Sequence, residues 1–274
     1  MKRKIFLFLF ALVLILVSSP VYAAGLKVGF IKKLQTTEEE YYKEIMNFWA
    51  GKGWVILGSD HEVTDVNFYD SLVMMILALN SGEVDEIILP EFVAEYVIKN
   101  NPDYYASCMS KGASVGMSLG FREKNEKLAE EWDKTLITMR NDFTIYRLEN
   151  EYLNPINHNN ISKPVEFENF PGQPTIKVAV TGDLPPMDYI AEDGRPSGFS
   201  TAILAELGKR LKVNIKLVNV DSGSRAVALL SKRVDVVFWY EKFTELEFQP
   251  DIPEGVILSE PYYYFNTFIH VRRK

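Results

Sequence analysis

The apolar positions of this chain change period several times, and the order of the changes recurs. Residues 26–31 form a short apolar run that reads as a strand. Thr36-Thr37-Glu38-Glu39-Glu40 then opens a helix to about Lys52, with threonine capping free N–H groups and the acids at the positive end. A second strand is expected at 54–57, a helix at 71–80, a third strand at 85–89 and a further helix at 92–99. After a strand at 114–121, the charged segment 123–152 carries Leu128, Trp132, Leu136 and Met139 at three- and four-residue spacing, which predicts one or two amphipathic helices. Residues 154–174 are rich in Asn and Pro and read as an extended connector. Beyond it come a strand at 176–180, a turn at Pro185-Pro186 and a hairpin around Asp193-Gly194. A helix at 201–211, a strand at 213–218, a helix at 224–230 and strands at 235–239 and 267–271 complete the chain.

The recurrence extends to residues. Lys27-Val28-Gly29 leads to Ala78-Leu79-Asn80-Ser81-Gly82-Glu83-Val84-Asp85, and Lys177-Val178-Ala179 leads to Ala228-Leu229-Leu230-Ser231-Lys232-Arg233-Val234-Asp235. Each copy reads as one β-α-β-α-β lobe, so the fold class is α/β, and two facing lobes enclose a cleft of the kind that binds small molecules.

Composition narrows the setting. Lys2-Arg3-Lys4, the apolar run to Val17 and the small residues before Ala24 have the pattern of a cleaved secretory signal. No Cys lies near that site to carry a lipid, and no later apolar run is long enough to span a bilayer, so a soluble periplasmic or secreted protein is expected. Loss of residues 1–23 takes three bases and no acids from the 30 and 37 present, which argues against nucleic acid or an anionic membrane as partner. About 250 residues would remain, enough for two lobes that each bury a sheet. Cys108 is alone and reads as a small buried side chain. His61, His158 and His270 are scattered without ligand spacing, so neither a metal nor another cofactor is expected.

The second copy, through Lys177-Val178-Ala179-Val180-Thr181-Gly182-Asp183-Leu184-Pro185-Pro186, Tyr189, Asp193-Gly194, Gly198-Phe199, Val234-Asp235 and Ser259-Glu260-Pro261-Tyr262-Tyr263, resembles the first lobe of family 3 extracellular solute-binding proteins. These are amino-acid-binding components of ABC importers. The first copy is similar to the family's second lobe through Lys27-Val28-Gly29, Thr36-Thr37, Gly82-Glu83-Val84-Asp85 and Val93-Ala94-Glu95-Tyr96. Gly120-Phe121-Arg122 through Met139-Arg140-Asn141-Asp142 resembles its closing helices. The resemblance implies a periplasmic binding protein-like fold with the lobe order circularly permuted. Its parts would be a signal peptide at 1–23, one lobe at 24–121, closing helices at 122–153, a connector at 154–175, and the other lobe with a hinge strand at 176–274. Closely spaced termini make such a rearrangement tolerable, although two incomplete copies pairing with another subunit would read the same way.

Ligands of open α/β sheets sit beyond the carboxyl ends of strands. That rule selects residues 32–37 and 90–91 in the first lobe and 181–186, 221–225 and 239–242 in the second, and among them Thr36, Thr37, Glu91, Thr181, Asp183, Ser222, Arg225, Trp239, Tyr240 and Glu241 are the candidate ligand contacts. The family grips a ligand carboxylate with an Arg after the strand equivalent to 235–239, but no Arg lies between Arg233 and Arg272. Arg225, aided by Thr36, Thr37 and a helix N-terminus, would supply the cation, or else be a solvated helix-face charge. Glu91 and Glu241 are either acids for an ammonium group or exposed loop carboxylates. Trp239 and Tyr240 either stack on a planar or cationic ligand or pack in the core, with Tyr240 placed in the loop. Asp183 is a site residue or a turn cap.

The expected function is capture of a small polar solute, an amino acid or related amine, by lobe closure for the membrane subunits of an ABC importer, without catalysis and without stable membrane insertion. Two other classes fit the pattern. One is a dehydratase of the cyclohexadienyl type acting on prephenate or arogenate, with Glu91, Glu241 and Arg225 recruited to chemistry. The other is a periplasmic sensory or interaction module that has lost its ligand.

Overall fold

The aspartate shared by the two repeats makes the same bonds in both. Asp85 accepts from the Lys27 backbone N–H at 2.9 Å and returns its own N–H to the Lys27 carbonyl at 2.9 Å. Asp235 accepts from Lys177 N–H at 3.0 Å and donates to the Lys177 carbonyl at 2.8 Å. One short side chain thereby pins the start of the third strand of each unit to its first strand. The computed structural model that shows this describes residues 25–32, 37–49, 55–57, 63–153, 163–243 and 252–274. The expected signal segment, most of the first part of the connector, and Thr36 lie outside the described residues.

The first unit contains β1 (Leu26–Ile31), α1 (Glu38–Trp49), β2 (Val55–Leu57), β3 (Val63–Tyr69), α2 (Leu72–Ser81), β4 (Glu86–Pro90) and α3 (Glu91–Asn100). A long strand β5 (Tyr104–Arg122) leads to α4 (Glu126–Asn141) and α5 (Thr144–Tyr152). The second unit contains β6 (Thr175–Val180), the small strands β7 (Asp183–Leu184), β8 (Asp188–Ile190) and β9 (Pro196–Ser197), then α6 (Phe199–Leu211) and β10 (Asn214–Asn219). It ends with α7 (Arg225–Leu230), β11 (Val236–Phe243), β12 (Val256–Leu258) and β13 (Tyr263–Arg273).

The main sheet runs β10, β6, β11, β5, β13, β4, β1, β3, with β2 and β12 also paired to β5. Two parallel triplets with the same order, second–first–third, therefore flank the antiparallel strands β5 and β13. This is a mixed α/β fold, and it accounts for the repeat in the sequence: each copy builds one parallel triplet with its helices.

Several strands differ from the sequence expectation: β5 begins at Tyr104, ten residues before the expected strand, and β12 has no expected counterpart. The parallel partner of β1 is β3, not the run at 54–57, which instead lies antiparallel along β5 at Met109–Lys111. Val63, Val66 and Tyr69 are buried at three-residue spacing while polar Asp65 and Asn67 intervene, so the segment shows neither clean alternation nor a continuous apolar run. In addition, β11 does not stop at Trp239. It leaves its parallel partner β6 after Val237 and continues antiparallel to β5 through Phe243.

The helices at 123–152 divide at Phe143, which has φ 62°, and pack on the second unit. Ala129, Trp132, Leu136 and Met139 form the buried stripe of α4, with the Trp132 ring edge-on to Phe121 at 5.7 Å. Arg210 of α6 reaches Asp142 at 2.6 Å and donates to the Thr144 hydroxyl at 2.7 Å. Its guanidinium, first through this hydrogen bond, holds the Asp142 carboxyl down at about 2.

The helix ends repeat as well. Gly82 closes α2 with φ 77°, and Lys232, at the same place in the second copy, has φ 64°. A side chain in this left-handed region costs roughly 1–2 kcal/mol, partly offset by the greater chain entropy that glycine loses. Lys232→Gly is therefore expected to raise stability by about 0.5–1 kcal/mol, seen as a melting temperature about 2 °C higher in thermal denaturation.

Candidate functional site

The parallel triplets direct their strand ends, and the helices that follow them, toward a shared boundary. From the first unit come Lys32 after β1 and Asp70 and Ser71 after β3. From the second come Thr181 after β6 and Asp221 to Arg225 after β10. The walls touch at several points. The Ser222 hydroxyl approaches the Lys32 carbonyl at 3.5 Å, and the rings of Tyr96 and Tyr189 lie 5.9 Å apart. Asp183 stands next to the N-terminus of α2, where the backbone N–H groups of Leu72 and Val73 favour its charged form. Burial raises the Asp183 carboxyl, opposed by its bonds to Thr181 and to those N–H groups.

A pocket of about 340 Å³ lies on this boundary, lined by Lys32, Thr37, Glu38, Tyr41, Phe68 and Asp70 on one side and Gly223 and Ser224 on the other. Lys32 Nζ stands 3.2 Å from Glu38 and 3.4 Å from Asp70, and its pKa is raised, chiefly by the Glu38 hydrogen bond. Two carboxylates thus face one ammonium. The Tyr41 and Phe68 rings lie 5.0 Å apart beside them, with Phe30 edge-on to Tyr41 at 5.9 Å. Surplus negative charge beside aromatic faces favours a cationic guest. At Gly223 a methyl group would stand 3.7 Å from Asp70 Oδ1, so a larger residue there would intrude on the pocket.

Thr37 reaches this pocket as the cap of α1. Its N–H and hydroxyl both donate to Glu40, at 3.0 and 2.8 Å, and its oxygen accepts from Glu40 N–H at 3.3 Å, a reciprocal capping box. Ser222 and Arg225 stand just behind the opposite wall. Arg225 is 5% exposed and not a solvated helix-face charge: it donates to the Phe238 carbonyl at 2.7 Å, the Ser222 carbonyl at 3.2 Å and the Ser222 hydroxyl at 3.1 Å. These bonds fix the turn that presents Gly223 and Ser224.

Thr181 shapes the neighbouring turn. Its N–H and hydroxyl donate to Asp188 at 3.3 and 3.0 Å, and Gly182 N–H joins them at 3.0 Å. Desolvation raises the buried Asp188 carboxyl to about 6, against these bonds and the charge of Arg225.

Other expected residues lie elsewhere. Tyr240, placed in a loop by the sequence, is 1% exposed in the core with Ala179, Val220, Leu229, Val234 and Val256, because β11 continues past it. Its ring lies over Gly120, where an added Cβ would come within 2.3 Å. Glu241 is opposite Met117 on β11, away from the pocket lining. Glu91 begins α3 and raises the carboxyl of Glu95, second to burial, in a patch beside Tyr263. Trp239 belongs to β11, and its side chain lies outside the described residues.

Lys32 falls within the stretch just after β1 that the strand-end rule selects, whereas Glu38, Tyr41, Phe68 and Asp70 do not stand out in the sequence as pocket residues. Asp70 and Phe68 depend on β3, whose irregular pattern conceals it; Ser71, which caps α2 by accepting from Met74 N–H, is the available signal for where that strand ends.

A family model described as bacterial extracellular solute-binding proteins, family 3, matches residues 176–274. No curated protein sequence matches the chain. Similar solved structures include the ligand-binding component of an ABC-type import system from Staphylococcus aureus, with zinc bound, at 11% identity and TM-score 0.45, covering 90% of this chain and 65% of that one. The chain thus spans just under two thirds of that protein's length. The methionine-binding protein MetQ shows 12% identity and TM-score 0.41 over 91% of this chain and 83% of its own. The GluR0 ligand-binding core, in complex with L-glutamate, shows 12% identity and TM-score 0.39 over 92% and 86%. Among the described residues no helix is long and apolar enough to cross a membrane. It is through residues 176–274, the second α/β unit and its closing strand, that the chain shares the pattern of the family 3 extracellular solute-binding proteins.

Proposed function

We propose that this protein is a non-catalytic receptor that captures a small amine-bearing solute between its two α/β units and presents it to the membrane subunits of an ABC importer. The observation that carries the reading is the boundary pocket, where Glu38, Asp70 and Lys32 meet Tyr41 and Phe68 opposite Gly223 and Ser224. An ammonium group would sit between the carboxylates and the rings, while closure would be driven by a solute that binds both walls at once and so favours the closed form over the open one. The match over residues 176–274 supports solute binding as the class of function. Export is part of the proposal, resting on the signal-like first residues, as is the permuted lobe order, in which the family-matching unit comes second.

Native mass spectrometry of gently purified protein tests the reading, since tight binders retain their ligand. The expected spectrum contains a small-molecule adduct that is depleted in Asp70→Asn, whose affinity for the released compound falls at least about tenfold, the loss of one charge-assisted contact. An adduct that is unchanged in Asp70→Asn would place binding elsewhere.

A second reading, a module whose cleft is filled by its own chain, is favoured by Asp183 at the N-terminus of α2. There the carboxylate takes the position that an anionic ligand would otherwise use. Asp183→Asn separates the two: tighter capture of a carboxylate-bearing solute supports a competing side chain, whereas specific capture of a protein partner without any small ligand supports the module.

A further inference from the structure

Outside the cleft, sheet pairing in the first unit gathers three side chains that are far apart in the sequence. Strand β13 lies between β4 and β5, with His270 opposite both Ile88 and Cys108. Glu86, two residues before Ile88, shares the face of His270, and one ring nitrogen, the Cys108 sulfur and a Glu86 oxygen all lie within 4.8 Å of one another. Glu86 and His270 are each 1% exposed, while Cys108 is half-buried and borders solvent.

The atoms around the cluster are already sorted. Glu86 Oε2 accepts from Arg272 Nε at 2.7 Å and from the Ser107 hydroxyl at 2.8 Å. Glu86 Oε1 faces His270 Nδ1 at 2.5 Å, and His270 Nε2 is 3.2 Å from the Ser110 hydroxyl. One carboxylate oxygen and one ring nitrogen are thus held by neighbours, and the other of each points at its counterpart beside the thiol. Oriented donors backed by outer hydrogen bonds are what a metal site requires.

We propose that Glu86, Cys108 and His270 form a site for one thiophilic divalent cation of the zinc class. A mixed S, N, O donor set suits zinc, which takes three protein ligands and a water in tetrahedral geometry. In that geometry the carboxylate oxygen and ring nitrogen would stand about 3.3 Å apart, an opening of less than about 1 Å from their present contact. Charge also balances. The cation replaces the thiol proton and the proton shared by the imidazole and carboxylate, both released to solvent, and leaves the net charge beside Arg272 unchanged. The half-buried Cys108 provides the way in. The three histidines show no ligand spacing along the chain because two of the three ligands are not histidine and the pairing of β4, β5 and β13 brings them together.

The test uses the full, untagged chain, stripped of metal by chelator and titrated with Co2+ and then Zn2+. The expected result is one equivalent of Co2+ with a thiolate-to-cobalt charge-transfer band, displaced by one equivalent of Zn2+. Cys108→Ser, nearly isosteric, is expected to abolish the band and weaken Zn2+ binding at least tenfold while melting within a few degrees of wild type, and Asp70→Asn in the cleft is expected to change neither. A missing band in the wild type at saturating Co2+, or Zn2+ affinity within tenfold in Cys108→Ser, overturns the proposal. Because Asp70 belongs only to the solute pocket, a failed metal site leaves the solute-binding reading standing, and the reverse also holds.

Discussion

Asp188→Ala is expected to destabilise the protein by about 3 kcal/mol and to lower its melting temperature by roughly 10 °C. Its carboxylate is the acceptor for Thr181 N–H, Gly182 N–H and the Thr181 hydroxyl, and it also faces the charge of Arg225. Removal leaves those donors inside a site from which water is excluded and takes away one negative charge near Arg225. The loss should reach the cleft, because the same turn holds Asp183 against the N-terminus of α2. The effect also depends on pH. The folded carboxyl titrates at about 6 instead of its ordinary 3.8, so the folded chain keeps a proton that the unfolded chain has lost in between. Its contribution is full below about pH 4 and fades as pH rises through about 6, a difference of about 2–3 kcal/mol. Denaturant melts of wild type and Asp188→Asn from acid to neutral pH check this: the stability of wild type relative to Asp188→Asn should fall as pH rises, and a relative stability that rises would reverse the assigned shift.

Gly198→Ala is expected to cost about 3–5 kcal/mol, because strain and overlap act together. Gly198 has φ 111°, and a Cβ there would stand 2.2 Å from the Met187 carbonyl oxygen and 2.6 Å from its carbon. Both atoms belong to backbone and cannot turn aside. The close approach has a purpose in the fold. It allows the Pro186 and Met187 carbonyls to accept from Phe199 and Ser200 N–H, each at 2.9 Å, which caps α6 without a capping side chain. Thermal denaturation should show a loss exceeding that of Asp188→Ala at neutral pH, and near-native stability in Gly198→Ala would refute the contact geometry.

The features readable from sequence were those made by near neighbours or by the repeat. Asp85 and Asp235 marked matching positions, and both prove to bond the first strand of their unit. The spacing of Trp132, Leu136 and Met139 gave the buried face of α4, because helical period is a local property. Features that depend on distant partners were concealed. Tyr240 looked like a loop residue, since nothing near it announces that β11 runs on beside β5 after its pairing with β6 has ended. β3 is buried at Val63, Val66 and Tyr69 but polar between them, and with it Phe68 and Asp70 were hidden. Of the expected ligand residues, Thr37 lines the pocket, Ser222 and Arg225 support its wall, and Tyr240 lies in the core.

The claim that Lys32, Glu38, Asp70, Tyr41 and Phe68 form a receptor site is tested most directly by isothermal titration of the wild-type protein with amino acids, polyamines and short peptides. Saturable one-to-one binding of an amine-bearing solute, weakened in Asp70→Asn, is the predicted result. No saturable heat with any of these compounds, from protein whose melting curve shows it folded, would contradict it.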